Sequence, residues 1–162
     1  MIVIGHGRDI HRLSKDGKPL ILGGVLIPSE KKVIAHSDGD VLLHALSDAL
    51  FGALALGDIG TFFPSEDEAN KDLDSKIILS KALEEVKKRD LTIDHVDIDI
   101  ILEKPRLREY IPLIKKSLCT LLNRFEPQVS IKAQTNEGLD AIGRGEAIEC
   151  QVVVILAKYY FY

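Results

Sequence analysis

Apolar side chains fill nearly every position between residues 41 and 56, and this stretch predicts a helix that is buried on all sides. Ser37, followed three residues later by Asp40, fits a capping box and so predicts where the helix begins. The glycines at positions 57 and 60 predict that it has ended there. A helix of this composition is expected in the core of a soluble domain.

Apolar and polar side chains alternate in residues 92–103 and 129–134, which indicates strands with one solvent-exposed face. A longer β-rich run over residues 147–159 predicts a closing strand. Shorter apolar runs predict strands over 2–4 and 20–27, the second either split in two or bent at its glycines.

Apolar stripes predict two more helices, one over 75–88 with Ser75 as its cap and one over 108–124. The acidic stretch 65–74 has the composition of a loop, and its length is typical of a mobile lid. We expect residues 1–162 to form one α+β domain, a two-layer sandwich whose mixed sheet is covered by helices on one face. Apolar positions in the last strand predict that another subunit covers the opposite face.

The 162 residues carry a formal net charge of −4, which argues against a broad nucleic-acid footprint. The sequence has neither an apolar run long enough to span a membrane nor the features of a secretory signal. Cys119 and Cys150 lie far apart without metal-site spacing, so we expect two reduced thiols. These features favour a cytoplasmic enzyme that binds neither nucleic acid nor membrane.

His44 and Asp48 interrupt the apolar helix one turn apart, on the same face as Asp40. Burying such groups is costly unless they are hydrogen-bonded or bind a metal. Upstream, Asp9 and His11 are spaced by two, which puts both side chains on one side of an extended segment. With His44 they would supply one oxygen and two nitrogens, a set that suits zinc and leaves its fourth position open. The alternative is that each histidine is hydrogen-bonded separately in the core.

Candidate phosphate ligands flank the helix start and a glycine-rich loop. His36 precedes the helix, where free N–H groups and the helix dipole favour an anion, although an ordinary surface role fits equally well. Lys132, Thr135 and Glu137 flank the glycine loop, whose backbone could cradle a phosphate. Glu137 could also hold a harder ion such as Mg²⁺ through oxygen. Asp58 could accept hydrogen bonds from a ribose or could simply follow the helix end.

Several different motifs are distributed along the whole chain. They are Gly5-His-Gly-x-Asp9-x-His11, His36-Ser-Asp-Gly-Asp40-x3-His44-Ala-Leu-x-Asp48-Ala, Leu56-Gly-Asp-Ile-Gly60, Phe63-Pro64, Lys132-Ala-x-Thr135-x-Glu137 and Gly143-Arg-Gly-Glu146. Together they closely resemble the 2-C-methyl-D-erythritol 2,4-cyclodiphosphate synthase family. The His-Ser-Asp-Gly-Asp block with Asp-x-His upstream is the most specific part of the resemblance.

The resemblance implies a homotrimer with three active sites at its subunit junctions. It also implies that Asp9, His11 and His44 hold one Zn²⁺ per subunit. Glu137 would contribute to a Mg²⁺ or Mn²⁺ ion that bridges the diphosphate of a cytidine diphosphate substrate.

The resemblance further implies the substrate contacts. His36 and Ser37 would anchor the phosphate of the methylerythritol half, and Lys132 and Thr135 would lie beside the phosphates of the cytidine half. Asp58, Ile59 and Gly60 would position the methylerythritol part, and Arg144 would also contact the substrate. The cytosine pocket of the neighbouring subunit would be lined by Leu102, Pro105, Arg106, Leu107, Ala133 and Gln134. Asp40 and Asp48 would support the zinc-binding helix.

The implied reaction is intramolecular: the 2-phosphate of 4-diphosphocytidyl-2-C-methyl-D-erythritol 2-phosphate attacks the β-phosphorus, and CMP leaves. Because both reacting groups are anionic, two divalent cations can neutralise and align them, and no protein nucleophile is expected. Two rival functions stay open. One is a zinc-dependent hydrolase whose bound water attacks a phosphoester, and the other is a non-catalytic trimer that binds nucleotide or stores metal.

Some positions depart from the family pattern. Arg8 stands where an aromatic residue is common, Gln134 replaces a threonine, and Ala141 stands where a larger residue is common. Glu103 and Arg106 also differ from the typical choices. We expect these departures to affect nucleotide affinity, and any ligand in the central channel of the trimer, more than the chemistry.

Overall fold

A computed structural model describes residues 1–159, and within this range five strands form one mixed β-sheet. The last three residues of the predicted 1–162 domain lie outside the described part. Counting the two strands of a separate hairpin, the described residues contain seven strands. In chain order they are β1 (Ile2–Ser14), β2 (Ile21–Leu22), β3 (Val25–Leu26), β4 (Lys32–Ile34), β5 (Thr92–Ile101), β6 (Val129–Gln134) and β7 (Ala147–Ala157). The α-helices are α1 (Val41–Ala53), α2 (Ile59–Phe62), α3 (Ser75–Lys88), α4 (Ile111–Leu122) and α5 (Asp140–Gly143), with 3-10 turns at Glu68–Asn70 and Glu126–Gln128.

The five-stranded sheet has the order β4-β1-β7-β5-β6. Its neighbouring strands are antiparallel except for β5 and β6, which run parallel. Helix α4 lies on the connection between these two strands, because a parallel pair needs a crossover segment rather than a tight turn. β2 and β3 form a separate hairpin, which is the split form of the predicted 20–27 strand. The mixed sheet and its helices confirm the predicted α+β class.

Helix α1 is the centre of the core. It packs against β1 and β7 of the sheet and against α3. Its fully buried apolar residues include Val41, Leu42, Leu43, Leu46 and Leu50. Burial of one such leucine stabilises the fold by about 1.5–3 kcal/mol relative to exposure. The prediction of a helix that is buried on all sides is confirmed.

Two glycines of β1 allow α1 to approach the sheet closely. A Cβ atom at Gly5 would lie 1.9 Å from the carbonyl oxygen of Ala49, and one at Gly7 would lie 1.9 Å from the carbonyl oxygen of Ala45. A side chain at either glycine would therefore push the helix away from the strand. The glycines thus bring the N-terminal half of α1 close to the polar end of β1.

The boundaries of α1 differ from the prediction. Asp40 is the N-cap itself rather than the third residue of a capping box, and its Oδ1 accepts a hydrogen bond from the Leu43 N–H at 3.0 Å. The helix ends at Ala53 rather than near residue 56, because Ala55 and Gly57 adopt positive φ angles of 56° and 86°. Left-handed backbone of this kind ends a helix.

β1 is much longer than the predicted 2–4 strand. Residues 2–12 pair with β7, from Ile2 opposite Ala157 to Arg12 opposite Ala147, and this pairing holds the glycine-containing segment extended. Smaller differences occur elsewhere. β5 ends at residue 101, α4 covers 111–122 rather than 108–124, and β7 ends at 157 rather than 159.

The face of the sheet opposite the helices is exposed in the single chain and partly apolar. Ile2 and Ile4 on β1 are 70% and 67% exposed, and Val153 on β7 is 41% exposed. Beside this apolar strip, Arg8 donates two hydrogen bonds of 2.9 Å to the Glu149 carboxylate. Arg8, one of the residues that depart from the family pattern, is therefore paired within its own chain.

The acidic loop is attached to the core near its C-terminal end. The Asp72 N–H donates to the His36 carbonyl at 2.9 Å, and the Asp38 N–H donates to the Leu73 carbonyl at 3.1 Å. Lys18 forms an ion pair of 2.6 Å with Asp72. The predicted lid motion of the stretch 65–74 stays a prediction, and the contacts attach its C-terminal end to the core.

Cys119 is half-buried and Cys150 is buried, and both are free thiols, as predicted. Among residues 1–159, no helix is both long enough and apolar enough to cross a bilayer.

Candidate metal centre and substrate cleft

Asp9 and His11 from β1 meet His44 from α1. The Asp9 Oδ2 atom lies 2.9 Å from His44 Nδ1 and 3.1 Å from His11 Nε2. His11 Nε2 and His44 Nδ1 are 3.3 Å apart, and the ligand atoms of all three residues lie within 4.8 Å of one another. The predicted spatial convergence of these side chains is confirmed, and the alternative of separately bonded histidines is wrong.

The backbone of β1 and the packing of α1 together build this cluster. Strand alternation puts Asp9 and His11 on the same side of β1 as Gly7, which faces α1. Because Gly7 lacks a side chain, Ala45 of α1 can lie directly against the strand. His44, the preceding residue, then reaches the two polar side chains that follow Gly7 along β1.

The electrostatics of the cluster favour bound positive charge. Burial raises the pKa of Asp9, but hydrogen bonds from His11 and His44 outweigh burial and bring that pKa down to about 2. Burial lowers the pKa of His44, whereas the Asp9 carboxylate raises it, and the net shift is upward. The site therefore attracts a cation, which can be a proton on the imidazole or a metal ion in its place.

The donor set fits a divalent metal. One carboxylate oxygen and two imidazole nitrogens are the ligands that a catalytic zinc site uses, with a fourth position left for water or substrate. Asp9 and His11 are half-buried and His44 is buried, so the cluster is enclosed on the protein side. Asp9, His11 and His44 could therefore hold one metal ion of the zinc type.

The other ring nitrogen of His44 meets two serine hydroxyls. Its Nε2 atom is 2.8 Å from Ser75 Oγ and 3.1 Å from Ser37 Oγ. The Ser75 hydroxyl in turn donates to Asp38. The sequence predicted Ser75 only as the cap of α3, which is wrong because Asp74 is the N-cap, and it assigned Asp38 no role. The His-Ser-Asp-Gly-Asp block contained Asp38 but gave no sign of this contact.

Asp40 supports the backbone around α1 rather than the triad directly. It is fully buried, and its carboxylate accepts hydrogen bonds from the N–H groups of Gly23, Gly24 and Leu43 at 2.7–3.0 Å. Burial raises the pKa of Asp40 to about 6, in spite of these hydrogen bonds. The carboxylate therefore ties the β2–β3 hairpin to the start of α1.

Asp48 connects α1 to the segment that follows it. Its Oδ1 accepts a hydrogen bond of 2.8 Å from the Ile59 N–H, which fixes the first residue of α2. Asp58 caps the same short helix through a hydrogen bond of 3.2 Å from the Thr61 N–H. Asp58 and Gly60 are exposed and Ile59 is half-buried, so this turn presents polar groups to solvent close to α1.

His36 and Ser37 lie in the turn that leads into α1. His36 is exposed, whereas Ser37 is buried and contacts His44. Lys18 donates hydrogen bonds to the backbone carbonyls of both residues and so fixes the turn. An exposed imidazole is thereby held in the turn that leads into the helix of His44.

On β6, the predicted phosphate contact Lys132 and the predicted cytosine contact Gln134 both bond to carboxylates of β5. Lys132 forms an ion pair of 2.6 Å with Asp97 of β5. The Gln134 side-chain amide donates to both carboxylate oxygens of Asp99 at 2.8 and 2.9 Å. Lys132, Ala133 and Gln134 are all exposed in the single chain, so they are accessible to a ligand or a neighbouring subunit.

Glu137 lies in the loop after β6 and adopts a positive φ of 52°. The Oε1 atom of Glu103 accepts hydrogen bonds from the Asn136 N–H at 2.7 Å and from the Gly138 N–H at 3.3 Å, one on each side of Glu137. Glu137 and Thr135 are exposed. Within residues 1–159, Glu137 belongs to no group of three side chains that could converge on one metal ion.

A cleft of about 1100 Å³ opens near this loop. Arg144 lines it and forms an exposed ion pair of 3.1 Å with Glu146. Leu102 and Leu107 are buried in the core, so their side chains do not line the cleft. The residues around the cleft are Pro28, Ser29, Glu30, Lys31, Glu103, Lys104, Pro105, Arg106, Thr135, Gly143, Arg144 and Gly145.

The fold and the site define an α+β protein with a mixed sheet and a triad, between its first strand and its core helix, that could hold a metal ion. The chain belongs to the YgbB family, whose model matches residues 2–157. This match agrees with the resemblance seen in the sequence motifs.

Individual relatives cover the same length. The 2-C-methyl-D-erythritol 2,4-cyclodiphosphate synthase of Actinobacillus succinogenes is 48% identical over 158 residues, which cover 98% of this chain and 99% of the relative. The structure of IspF from Plasmodium falciparum in complex with CDP is 37% identical, has a TM-score of 0.86, and is matched over 98% of this chain and 97% of that chain. The bifunctional IspDF from Campylobacter jejuni is 34% identical with a TM-score of 0.92, and 98% of this chain covers 43% of it.

Proposed function

We propose that the chain acts as a 2-C-methyl-D-erythritol 2,4-cyclodiphosphate synthase. It converts 4-diphosphocytidyl-2-C-methyl-D-erythritol 2-phosphate into the cyclic 2,4-diphosphate and releases CMP, a step in non-mevalonate isoprenoid precursor biosynthesis. The observation that carries the proposal is the convergence of Asp9, His11 and His44 in a chain that matches synthases of this name over nearly its full length.

Zn²⁺ is the ion that suits the triad, because Asp9, His11 and His44 offer the oxygen and nitrogen ligands that zinc prefers. Glu137 offers an exposed carboxylate that suits Mg²⁺ or Mn²⁺ bound to the diphosphate. When bound, the two ions supply positive charge that offsets the repulsion between the reacting phosphates.

The protein groups position the two ends of the substrate. His36 and Ser37 precede the N-terminus of α1, where an anion is favoured, and they suit the 2-phosphate. The turn at Asp58, Ile59 and Gly60 suits the hydroxyl groups of the methylerythritol part. The remaining contacts that we assign are Lys132 and Thr135 for the cytidine phosphates, Ala133, Gln134, Pro105 and Arg106 for cytosine, and Arg144 for the substrate. The side chains of Leu102 and Leu107 are buried, so they are not assigned to cytosine.

Within this arrangement the reaction needs no protein nucleophile. An oxygen of the 2-phosphate forms a new bond to the β-phosphorus. The bond between the β-phosphorus and the oxygen that bridges to the α-phosphate breaks, and that oxygen keeps the electron pair and leaves with CMP. The two phosphates belong to one substrate molecule, so the attack is intramolecular, and holding both in one enclosed site lowers the entropic cost of bringing them into line.

A homotrimer with active sites at its subunit junctions fits two features of the single chain. The open face of the sheet carries the exposed Ile2, Ile4 and Val153, which suit burial against other subunits. The exposed segment 132–137 and the triad are separate parts of one subunit, so a junction could bring one subunit's segment to its neighbour's triad. We assign the assembly to the cytoplasm, without nucleic-acid or membrane partners.

A product assay in water enriched in oxygen-18 tests the proposed function. The purified protein with Zn²⁺ and Mg²⁺ is expected to give CMP and a cyclic diphosphate that contains no oxygen from solvent. Solvent oxygen in the sugar product would overturn the cyclase assignment.

Zinc-dependent phosphoester hydrolysis is the second candidate, because three protein ligands leave a position that also suits a bound water. The same assay separates the two, since hydrolysis must place one solvent oxygen in a product. Zinc and CMP binding without any turnover would instead favour a non-catalytic binding protein.

A further inference from the structure

The contact at one ring nitrogen of His44 determines whether the other nitrogen, which faces the proposed metal site, has a free lone pair. Nδ1 faces Asp9 at 2.9 Å and His11 at 3.3 Å, whereas Nε2 faces the Ser75 hydroxyl at 2.8 Å. A neutral imidazole carries one N–H, so the group bonded to one nitrogen determines which nitrogen keeps a free lone pair. The contacts of Ser75 therefore bear on what His44 can bind.

The direction of the Ser75 hydrogen bond follows from its second partner. The Ser75 hydroxyl has one proton, and it donates this proton to Oδ1 of Asp38. An ionised carboxylate can only accept, so the proton cannot point at His44. Ser75 Oγ is therefore left as an acceptor toward the His44 ring, and the hydrogen atom of that contact has to be on Nε2.

Asp38 is itself held firmly in place. Its Oδ2 accepts from the Ser75 N–H at 2.9 Å, and its Oδ1 also accepts from the Asp40 N–H at 3.1 Å. Ser75 is fully buried at the first position of α3. The buried N-terminus of α3 is thus locked to the loop before α1, and the hydroxyl has little freedom to turn.

We propose that Asp38, Ser75 and His44 form a positioning relay, in which the Ser75 hydroxyl donates to Asp38 and accepts the His44 Nε2–H. The relay leaves the Nδ1 lone pair directed at the space between Asp9 and His11, ready for a metal ion. Partners of this kind, behind a ligating histidine, fix its tautomer and ring orientation. Ser75 and Asp38 are positioning residues, and the inference rests on the proposed zinc site.

Ser37 is the competing acceptor, because its Oγ lies 3.1 Å from the same Nε2 atom. Its oxygen already accepts from the Gly39 N–H at 3.2 Å. Ser37 has no described carboxylate partner that would fix the direction of its own proton, so it could donate or accept. Ser75 is the residue whose second contact fixes the polarity of the relay.

The first test is zinc affinity, measured by competition with a chromophoric chelator, for the Ser75→Ala variant. We expect its dissociation constant to rise by about 10- to 100-fold, the usual effect of losing such a partner. Ser47→Ala is the matched control, because Ser47 is also a fully buried serine, and its hydroxyl donates to the Leu43 carbonyl at 2.7 Å. The control is expected to bind zinc within about twofold of the parent protein, since it leaves the relay intact.

The second test uses the unmodified zinc-loaded protein and does not depend on how the variant folds. Nitrogen-15 and proton NMR of His44 should show zinc on Nδ1, a proton on Nε2, and a nuclear Overhauser contact from that proton to the β-protons of Ser75. In Ser75→Ala this proton should shift upfield and exchange faster with water.

Three results would overturn the relay: zinc on Nε2, an Overhauser contact to Ser37 in place of Ser75, or unchanged zinc affinity in folded Ser75→Ala. Failure of the relay and failure of the proposed function are distinguishable. If the parent protein binds zinc and forms the cyclic product while Ser75→Ala binds zinc equally well, only the relay is wrong. If the parent does not bind zinc, the proposed metal site and the relay both fail.

Discussion

His44 shows how one residue can serve both the core and a polar site. Its surroundings on α1 are apolar and buried, yet both of its ring nitrogens have partners. Within the described residues, no buried side-chain nitrogen or oxygen lacks a hydrogen bond. Each buried polar side chain therefore has a hydrogen-bond partner, and the two imidazoles offset the free-energy cost of burying the Asp9 carboxylate.

The pH dependence of folding should reveal the Asp9 contacts in zinc-free protein. The folded-state pKa of Asp9 is lowered from 3.8 to about 2, so the carboxylate stabilises the fold above its unfolded pKa and this contribution is lost as pH falls toward 2. We expect the free energy of unfolding to fall between pH 5 and pH 2 by about 2 kcal/mol more in the parent than in Asp9→Asn. Urea unfolding in the presence of a chelator measures this difference, and equal slopes for the two proteins would contradict it.

At the scale of elements, the contact between β1 and α1 builds the site. The helix supplies an apolar face and one imidazole, and the strand supplies two polar ligands beyond its glycines. Neither element could hold a metal alone. The closeness of their backbones, which Gly5 and Gly7 allow, decides whether the three ligands meet.

Gly7→Ala should separate the strand from the helix. The new methyl group would lie 1.9 Å from the Ala45 carbonyl oxygen and 2.6 Å from the Ala49 nitrogen, both backbone atoms that cannot move independently. We expect a loss of about 3 kcal/mol of stability, at the upper end of overpacking effects, together with weaker zinc binding.

Gly52→Ala is the control for that variant. Gly52 lies in α1, and a methyl group there would have its nearest neighbour at 3.7 Å, so helix propensity should stabilise the protein by up to about 1 kcal/mol. Thermal unfolding and chelator competition measure both effects. Gly7→Ala with the stability and zinc affinity of the parent would mean that close approach does not build the site.

Glu103 should control the loop that carries Glu137. Because its carboxylate accepts from the N–H groups on both sides of Glu137, Glu103→Ala frees the loop without removing the proposed ligand. We expect the Mg²⁺ concentration for half-maximal activity to rise by about tenfold, while zinc affinity stays unchanged. Glu109→Ala, an exposed change on the same connection, is the control. A parent-like Mg²⁺ requirement in Glu103→Ala would show that the loop does not depend on this carboxylate.

Features of the fold that depend on a local sequence pattern could be predicted, whereas features that depend on contacts between distant segments could not. The almost entirely apolar 41–56 stretch and the alternation in 129–134 are local signals, and they located α1 closely and β6 at its observed bounds. The length of β1 is set by its pairing with β7, which no local pattern reveals. The contact between Asp38 and Ser75 joins residues 37 positions apart, so it depends on the packing of α3 and could not be predicted from either segment.

At the scale of the whole molecule, the sheet has one face in the core and one face open. The open face combines exposed isoleucine and valine side chains with ion pairs such as Arg8–Glu149. Apolar strips of this kind on an otherwise polar surface mark interaction sites. In the proposed trimer, this face is buried between subunits, and the active sites lie at the subunit junctions.

Ile4→Glu should break the trimer. Placing a carboxylate in an apolar contact between subunits is costly, so the native mass should fall from three chains toward one, and activity should fall by more than about tenfold. Leu113→Glu is the control, because Leu113 is also exposed but lies on α4 in the helix layer. Native mass spectrometry measures the assembly. A parent protein that is fully active as a single chain would rule out active sites built at subunit junctions.

X-ray absorption at the zinc edge of the loaded protein tests most directly whether Asp9, His11 and His44 share one cation. We expect one zinc per chain with nitrogen and oxygen neighbours at about 2.0–2.2 Å and no sulfur neighbour at about 2.3 Å. Elemental analysis of His44→Ala, purified in the same way, should find the zinc lost. A sulfur shell around the zinc, or full zinc content in His44→Ala, would contradict the proposed metal centre and the cyclase chemistry that depends on it.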